Sequence, residues 1–120
     1  MGEGVLTAGF WRHDGALLCE DVPLAAIAAA VGTPTYVYSA GAIRAAYQRL
    51  ADALAGLPVR IHYAVKANST LAILRILQES GAGADIVSAG ELHRARLAGF
   101  RGEDIVFAGV GKTRWEMEHA

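Results

Sequence analysis

The sequence predicts an α/β protein whose parallel strands are joined by crossover helices. Three observations lead to this class: short β-rich runs alternate with helical patterns, the connections are short, and several segments end at a glycine. Two architectures satisfy the pattern, an open doubly wound sheet and part of a (β/α)8 barrel. A full barrel takes roughly 250 residues. A chain of 120 residues holds about half of one, so we expect an N-terminal fragment.

The opening segment predicts a β-hairpin. Asp14-Gly15 is a favoured two-residue turn between short strands within residues 10–21. Helical patterns begin at Pro23, where we place a domain boundary. Residues 1–22 are expected to be a β segment of a second, β-rich domain, and residues 23–120 the first part of the α/β domain.

The α/β series is predicted from periodicity and from the residues that end helices. Pro23 and Gly32 bound the first helix, because proline fits a first turn and glycine fits a helix end. Ser69-Thr70 and Ser88 are candidate N-caps for later helices. The predicted strands cover residues 33–39, 59–68, 83–88 and 103–109, and the predicted helices cover residues 23–32, 40–56, 71–81, 89–99 and 112–120.

Composition excludes several classes of protein. The formal charge is -1, whereas a general nucleic-acid binder needs a basic face. No apolar run reaches the roughly 18 residues of a membrane span, and the start of the chain lacks the pattern of a signal peptide. The lone Cys19 excludes an internal disulfide and is expected to be a buried or incidental thiol. We expect a cytoplasmic protein with no membrane or nucleic-acid partner.

The run from His62 to Asn68 carries the most chemistry. Side chains alternate across a strand, so His62, Ala64 and Lys66 are expected on one face, opposite Tyr63 and Val65. Lys66 would then lie at the carboxyl end, where parallel α/β folds form their sites. An amine there can form a Schiff base, or the side chain can extend into solvent.

Four blocks in order resemble the fold-type III pyridoxal-phosphate decarboxylases: YAVKAN, STLAILRIL, GAGADIVSAGEL and IVFAGVGKT. Within this family the chain is most similar to the branch that converts meso-diaminopimelate to L-lysine and carbon dioxide. The ornithine and arginine decarboxylases share the plan and remain an alternative. The resemblance implies a partial (β/α)8 barrel like the N-terminal domain of alanine racemase, a small amino-acid substrate, and a homodimer for the full-length protein.

The resemblance also implies roles for single residues. Lys66 matches the lysine that holds pyridoxal 5'-phosphate through an imine bond, and Ala64 matches a position beside the cofactor. Asp85 matches an aspartate near both; a carboxylate favoured by a helix dipole is the structural alternative. His62 is either near the cofactor or a core histidine. Glu91 is either near the cofactor or part of a Ser88-x-x-Glu91 capping box.

Other candidate sites fail on spacing. The GVGKT segment lacks the first glycine of a phosphate-binding loop, because position 106 is Val. Gly109 and Gly111 are expected instead to allow the turn from strand to helix. The histidines at positions 13, 93 and 119 have no metal-ligand partners at useful spacing. A non-catalytic half-barrel that binds pyridoxal phosphate stays open as an alternative function, and the fragment alone is expected to be inactive.

Overall fold

A computed structural model of the chain describes the backbone of residues 4–7 and 9–119 and the side chains of residues 9–119. The chain forms two compact units, Met1–Ala45 and Ala46–Ala120. The first unit contains an antiparallel sheet and the second a parallel sheet. The division falls inside one helix, so the boundary that we place at Pro23 remains a prediction about domains of a longer protein.

The sheet of the first unit has four strands in chain order. Its turn at Asp14-Gly15 has positive φ at both residues, 46° and 78°, which confirms the predicted hairpin turn. The hairpin is the centre of a larger sheet than expected, because one strand is added on each side. The strands are β1 (Gly4–Thr7), β2 (Phe10–His13), β3 (Ala16–Cys19) and β4 (Val22–Pro23).

Helix α1 (Leu24–Val31) follows directly, with Pro23 and Gly32 at its two ends as predicted. Helix α2 (Ala40–Ala53) begins in the first unit and continues in the second. The strand predicted over residues 33–39 is wrong, because this run pairs with no strand in the described part of the chain. A β-rich run becomes a strand only where a neighbour accepts its backbone hydrogen bonds.

The second unit repeats strand, helix, strand. Its strands pair in the order β5-β6-β7 and all are parallel, which confirms the α/β class. The elements are β5 (His62–Ala64), α3 (Leu71–Glu79), β6 (Gly83–Ile86), α4 (Ala89–Leu97), β7 (Ile105–Phe107) and α5 (Arg114–His119). Each is shorter than its prediction, because periodicity continues into turns that have no ladder or helical bonds.

The largest correction concerns the strand that we predicted over residues 59–68. Strand β5 ends at Ala64, and Val65–Ala67 form a single 3₁₀ turn. The alternation of side chains therefore stops before Lys66. The lysine still follows the carboxyl end of the strand, but a turn, and not the pleat, sets its position.

One face of the parallel sheet carries the hydrophobic core. Alternate strand residues on this face pack against the helices, so the two-residue period places apolar side chains here and leaves the other face to different residues. Buried core residues are Val65, Leu74, Ala84, Ile86, Leu92, Ala95, Ala98 and Phe100, with Tyr63, Ile105 and Phe107 packed against them.

Candidate active site

The face of the sheet opposite the core carries small and polar side chains. The parallel register pairs His62 with Gly83 and Ala64 with Asp85, and continues from Asp85 to Val106. These residues share a face, because paired residues of a sheet point to the same side. The structure thus brings three of the predicted residues, His62, Ala64 and Asp85, together on one surface.

The turn that carries Lys66 is held by its neighbours. The Tyr63 hydroxyl donates to the carbonyl oxygen of Asn68 (3.1 Å), and the Asn68 side chain accepts from the backbone nitrogen of Thr70 (3.0 Å). Arg94 of α4 donates to the Ser69 carbonyl oxygen (3.3 Å). Sequence reasoning missed these supporting residues. The available signal was Asn68 before Ser69-Thr70, an arrangement typical of a side-chain turn.

Thr70 occupies the N-cap position of α3, as predicted, but its side chain makes no capping bond. Asn68 instead accepts from the backbone nitrogen of Thr70 itself, which makes a side-chain turn ahead of the helix and does not cap the N–H groups of its first turn. Asn68 therefore connects the turn that contains Lys66 to the residue that precedes helix α3.

The two lysines of the chain differ sharply. The Lys112 ammonium donates to the Gly109 carbonyl oxygen (2.7 Å) and lies 5.4 Å from the centroid of the Phe107 ring. Lys66 is exposed and makes no hydrogen bond or ion pair with residues 9–119. Of the two, Lys66 is therefore the amine available for reaction.

Asp85 lies on β6 directly beside Ala64, one residue before the end of the strand. Its Oδ1 atom is buried without a hydrogen-bond partner among the described residues. The helix-dipole alternative finds no support in contacts, because Ser88 and Glu91 accept the bonds near the start of α4. A buried acceptor without a donor suits a positively charged or N–H-bearing group.

Glu91 takes part in a cap at the start of α4. The Ser88 hydroxyl accepts from the Glu91 backbone nitrogen (3.2 Å), as the capping box predicts. The Glu91 carboxylate accepts from the nitrogen of Val87 (2.8 Å), one residue before the position that the box requires. The cofactor role of Glu91 stays a prediction, since one carboxylate oxygen has a structural function already.

The glycines after β7 serve a turn. Gly111 has a φ of 73°, which favours glycine. A Cβ at Gly109 would lie 2.7 Å from the Val87 carbonyl oxygen, so the close approach of two backbones requires glycine there. A reciprocal capping box of Thr113 and Glu116 then starts α5. Backbone and side-chain hydrogen bonds from Thr113 lower the pKa of Glu116, whose carboxylate also accepts from Ala89.

The amino end of the sheet contains a second charged cluster that sequence reasoning missed. The Asp104 carboxylate, at the start of β7, is buried and accepts from Arg60 and from Arg101 (3.2 Å). The hydrogen bond from Arg60 is the main cause that lowers the pKa of Asp104. The residues lie 44 positions apart, so no local spacing could reveal the pair.

The remaining candidates fall outside the site. Cys19 is buried at the end of β3, as expected, and burial raises the pKa of its thiol. Within the described ranges, no group of three or more His, Cys, Asp or Glu side chains could hold a metal ion. None of the helices in that part of the chain is long and apolar enough to cross a bilayer.

The residues present fit pyridoxal phosphate. Lys66 supplies an amine that is unengaged among the described residues, Ala64 adds only a methyl group to the face that carries Asp85, and the Asp85 Oδ1 atom offers an acceptor that these residues leave unsatisfied. Comparison with known proteins leads to the same group. Residues 40–120 match the family model described as pyridoxal-dependent decarboxylase, pyridoxal binding domain.

The chain belongs to this family of pyridoxal-dependent decarboxylases. Its cofactor is pyridoxal 5'-phosphate. A diaminopimelate decarboxylase from Pseudomonas fluorescens is 55% identical over 111 residues, which cover 92% of this chain and 27% of the relative. The chain thus spans about a quarter of the length of the curated relatives that it matches.

Solved structures agree with the family assignment. Diaminopimelate decarboxylase from M. jannaschii superposes with a TM-score of 0.85 at 36% identity, over 92% of this chain and 27% of that one. The Helicobacter pylori enzyme complexed with L-lysine gives 0.74 at 41% identity, over 79% and 24%. The resemblance that the four sequence blocks carry is confirmed.

Proposed function

We propose that this chain is the N-terminal part of an enzyme that decarboxylates meso-2,6-diaminopimelate to L-lysine and carbon dioxide. The proposal is carried by two groups at the carboxyl end of the parallel sheet that have no partner among the described residues: the amine of Lys66, in the turn after β5, and the Asp85 Oδ1 atom, on β6 opposite Ala64. The substrate is inferred from the names of the relatives and from L-lysine bound in one structural neighbour.

Each residue of the site has a separate task in this reaction. Lys66 would hold the cofactor through its amine, which makes no bond with the other described residues. The Asp85 carboxylate holds a positive charge nearby, and the Ala64 methyl leaves room on the same face. When bound, pyridoxal phosphate supplies an electron sink for the pair left behind as the carboxylate departs.

The larger assembly is part of the proposal. The short antiparallel strands before Pro23 support the assignment of residues 1–22 to a second, β-rich domain, and the parallel β5-β6-β7 order supports residues 23–120 as the opening of a (β/α)8 barrel. We also retain a homodimer and a cytoplasmic location as predictions, on the family resemblance. The phosphate cradle and the residues that read the distal end of the substrate would then lie in the rest of the protein.

The first test uses the full-length protein that contains this chain. Lys66→Arg keeps the positive charge but stays protonated, so it cannot attach the cofactor. We expect carbon dioxide release from meso-diaminopimelate to fall by at least about 10³-fold and the absorbance of covalently bound cofactor to disappear. Lys112→Arg is the matched control and should retain both. Near-normal release from Lys66→Arg would refute the mechanism.

The second test addresses the substrate. Diaminopimelate has a carboxylate and an amine at both ends, whereas ornithine lacks the distal carboxylate. A site with buried partners for that carboxylate should prefer diaminopimelate by about 10⁴-fold in kcat/KM, because unpaired buried groups are costly. Faster turnover of ornithine or arginine would show that the proposed substrate is wrong, but it would not contradict the proposed role of Lys66.

A further inference from the structure

Two buried polar atoms on the site face have no hydrogen-bond partner among the described residues: Nδ1 of His62 and Oδ1 of Asp85. Buried polar atoms are nearly always paired, and an unpaired one costs free energy. Each of these two atoms, which lie on neighbouring strands, therefore needs a partner that is not a side chain of residues 9–119.

The sheet register brings the two side chains near one another. His62 pairs with Gly83, and Asp85 lies two residues further along the same strand, so the pair is a diagonal neighbour on one face. Diagonal positions lie roughly 7–8 Å apart, a span that two polar side chains and one water can bridge. Of the two intervening neighbours, Ala64 carries only a methyl group, and Gly83 carries no side chain and is covered by the His62 ring.

Gly83 also fixes the position of the imidazole. A Cβ at Gly83 would lie 2.6 Å from the His62 Nδ1 atom and 2.7 Å from its Cε1 atom. The ring therefore lies directly over the glycine. The Nδ1 atom of His62, which belongs to β5, is therefore held over Gly83 of β6, two residues before Asp85.

We propose that His62 and Asp85 share one ordered water, and that through it His62 orients the Asp85 carboxylate toward Lys66. His62 is thus a positioning residue, which rests on the proposed function of Lys66 and Asp85. A buried water needs a polar site with two to four partners, and Nδ1, Oδ1 and the amine of Lys66 would supply three. The competing arrangement gives each orphan atom its own partner from elsewhere in the full-length protein.

The experiment is a double-mutant cycle on the full-length holoenzyme, with His62→Leu, Asp85→Ala and the double variant. We expect His62→Leu to weaken the binding of pyridoxal phosphate to the apoenzyme about fivefold and to lower kcat about fivefold at an unchanged KM, the effect of losing one water-mediated bond. In the Asp85→Ala background, where the acceptor for the water is gone, His62→Leu should have no further effect.

Conservative variants separate positioning from packing. His62→Asn places an amide near the position of Nδ1, so cofactor affinity, cofactor absorbance and kcat should return to within about twofold of wild type. His62→Gln places its amide near Nε2 instead and should resemble Leu. This Asn and Gln pair also keeps the test valid if the leucine variant does not fold. The melting temperature of the apoenzyme should not fall in the Asn variant.

Three results would overturn the proposal. They are equal losses from His62→Leu in both Asp85 backgrounds, equal behaviour of the Asn and Gln variants, and a full-length structure in which His62 Nδ1 bonds to another side chain. Failure of the wild-type protein to retain pyridoxal phosphate would instead overturn the proposed function. The two failures are therefore distinguishable by one absorbance measurement.

Discussion

The two ends of the parallel sheet differ in whether their charged side chains are paired. At the amino end, the Asp104 carboxylate is buried and accepts hydrogen bonds from Arg60 and Arg101. At the carboxyl end, the Asp85 Oδ1 atom is buried without a partner among the described residues, and Lys66 makes no bond there either. Among the described residues, the buried carboxylate at the amino end is paired and the polar groups at the carboxyl end are not.

This difference separates stability from function. Paired charges lower the free energy of the folded state, whereas an unpaired buried carboxylate raises it. Such a cost persists where a ligand or cofactor later supplies the missing partner, and active sites are commonly less stable for this reason. Variants at the two ends should therefore change different observables.

The largest effect is expected for Asp85→Asn in the full-length protein. On the proposed function, loss of the Asp85 charge should lower kcat/KM by about 10²-fold, because the carboxylate no longer stabilises a positive charge in the site. The melting temperature of the apoenzyme should stay the same or rise, since an amide is less costly to bury than an unpaired carboxylate.

Calorimetry and carbon dioxide release measure the two quantities separately. A clear drop in the melting temperature of Asp85→Asn would mean that the carboxylate has a structural partner, and the contrast between the two ends would disappear.

The next effect concerns Gly83, which lies between the two clusters. An added Cβ would lie 2.6 Å from the His62 Nδ1 atom and 2.8 Å from the Asp104 carbonyl oxygen, a backbone atom that cannot move freely. Gly83→Ala should therefore destabilise the protein by about 1–3 kcal/mol, the usual cost of overpacking. Urea denaturation measures the change. Gly90→Ala is a suitable control, because the nearest atom to its Cβ would be 3.8 Å away; equal losses would contradict the prediction.

Asp104→Asn should have the converse effect to Asp85→Asn: a melting temperature lower by a few degrees, and kcat/KM unchanged within about twofold. Arg60 and Arg101 are partly exposed, so solvent screening keeps the loss moderate. Reduced turnover at normal stability would show that the amino end takes part in catalysis.

The pH dependence of this contribution has a definite sign. The pKa of Asp104 in the folded protein is lowered from its ordinary value of 3.8, first by the hydrogen bond from Arg60. The contribution is therefore complete above the pKa of the unfolded chain and is lost as the pH falls through the lower, folded pKa. Unfolding curves of wild type and Asp104→Asn should differ at pH 6, begin to approach one another only below pH 3.8, and converge once the pH is below the folded pKa. A difference that stays constant at low pH would exclude the ion pair as its cause.

The sequence allowed the second unit to be predicted better than the first. Helix α4 was predicted from Ser88 and Gly99, whose effects are local, and the parallel order followed from alternation. The strand at residues 33–39 was wrong, because pairing depends on a neighbour that no local pattern describes.

Within the site, the type of chemistry at Lys66 was readable from residue type and resemblance. The turn of Val65–Ala67 was not, because it is set by Tyr63 and Asn68 across five residues. The contact between Arg60 and Asp104 could not be predicted from the sequence, because it joins residues 44 positions apart that precede two different strands. Long-range contacts of this kind require the fold before they can be inferred.

The smallest effect is expected at the first turns of two helices, α3 and α4, which follow strands β5 and β6. The Ser88 hydroxyl accepts from the Glu91 nitrogen, whereas the Thr70 side chain makes no capping bond. Ser88→Ala should therefore cost about 1 kcal/mol of unfolding free energy, and Thr70→Ala only a few tenths. Asn68→Ala removes the side-chain turn ahead of α3, because Asn68 accepts from the Thr70 nitrogen, and its cost should resemble that of Ser88→Ala. Equal losses from Thr70→Ala and Ser88→Ala in urea denaturation would mean that the hydroxyl of Thr70 caps α3 after all, and that Asn68 is free to act elsewhere in the turn of Lys66.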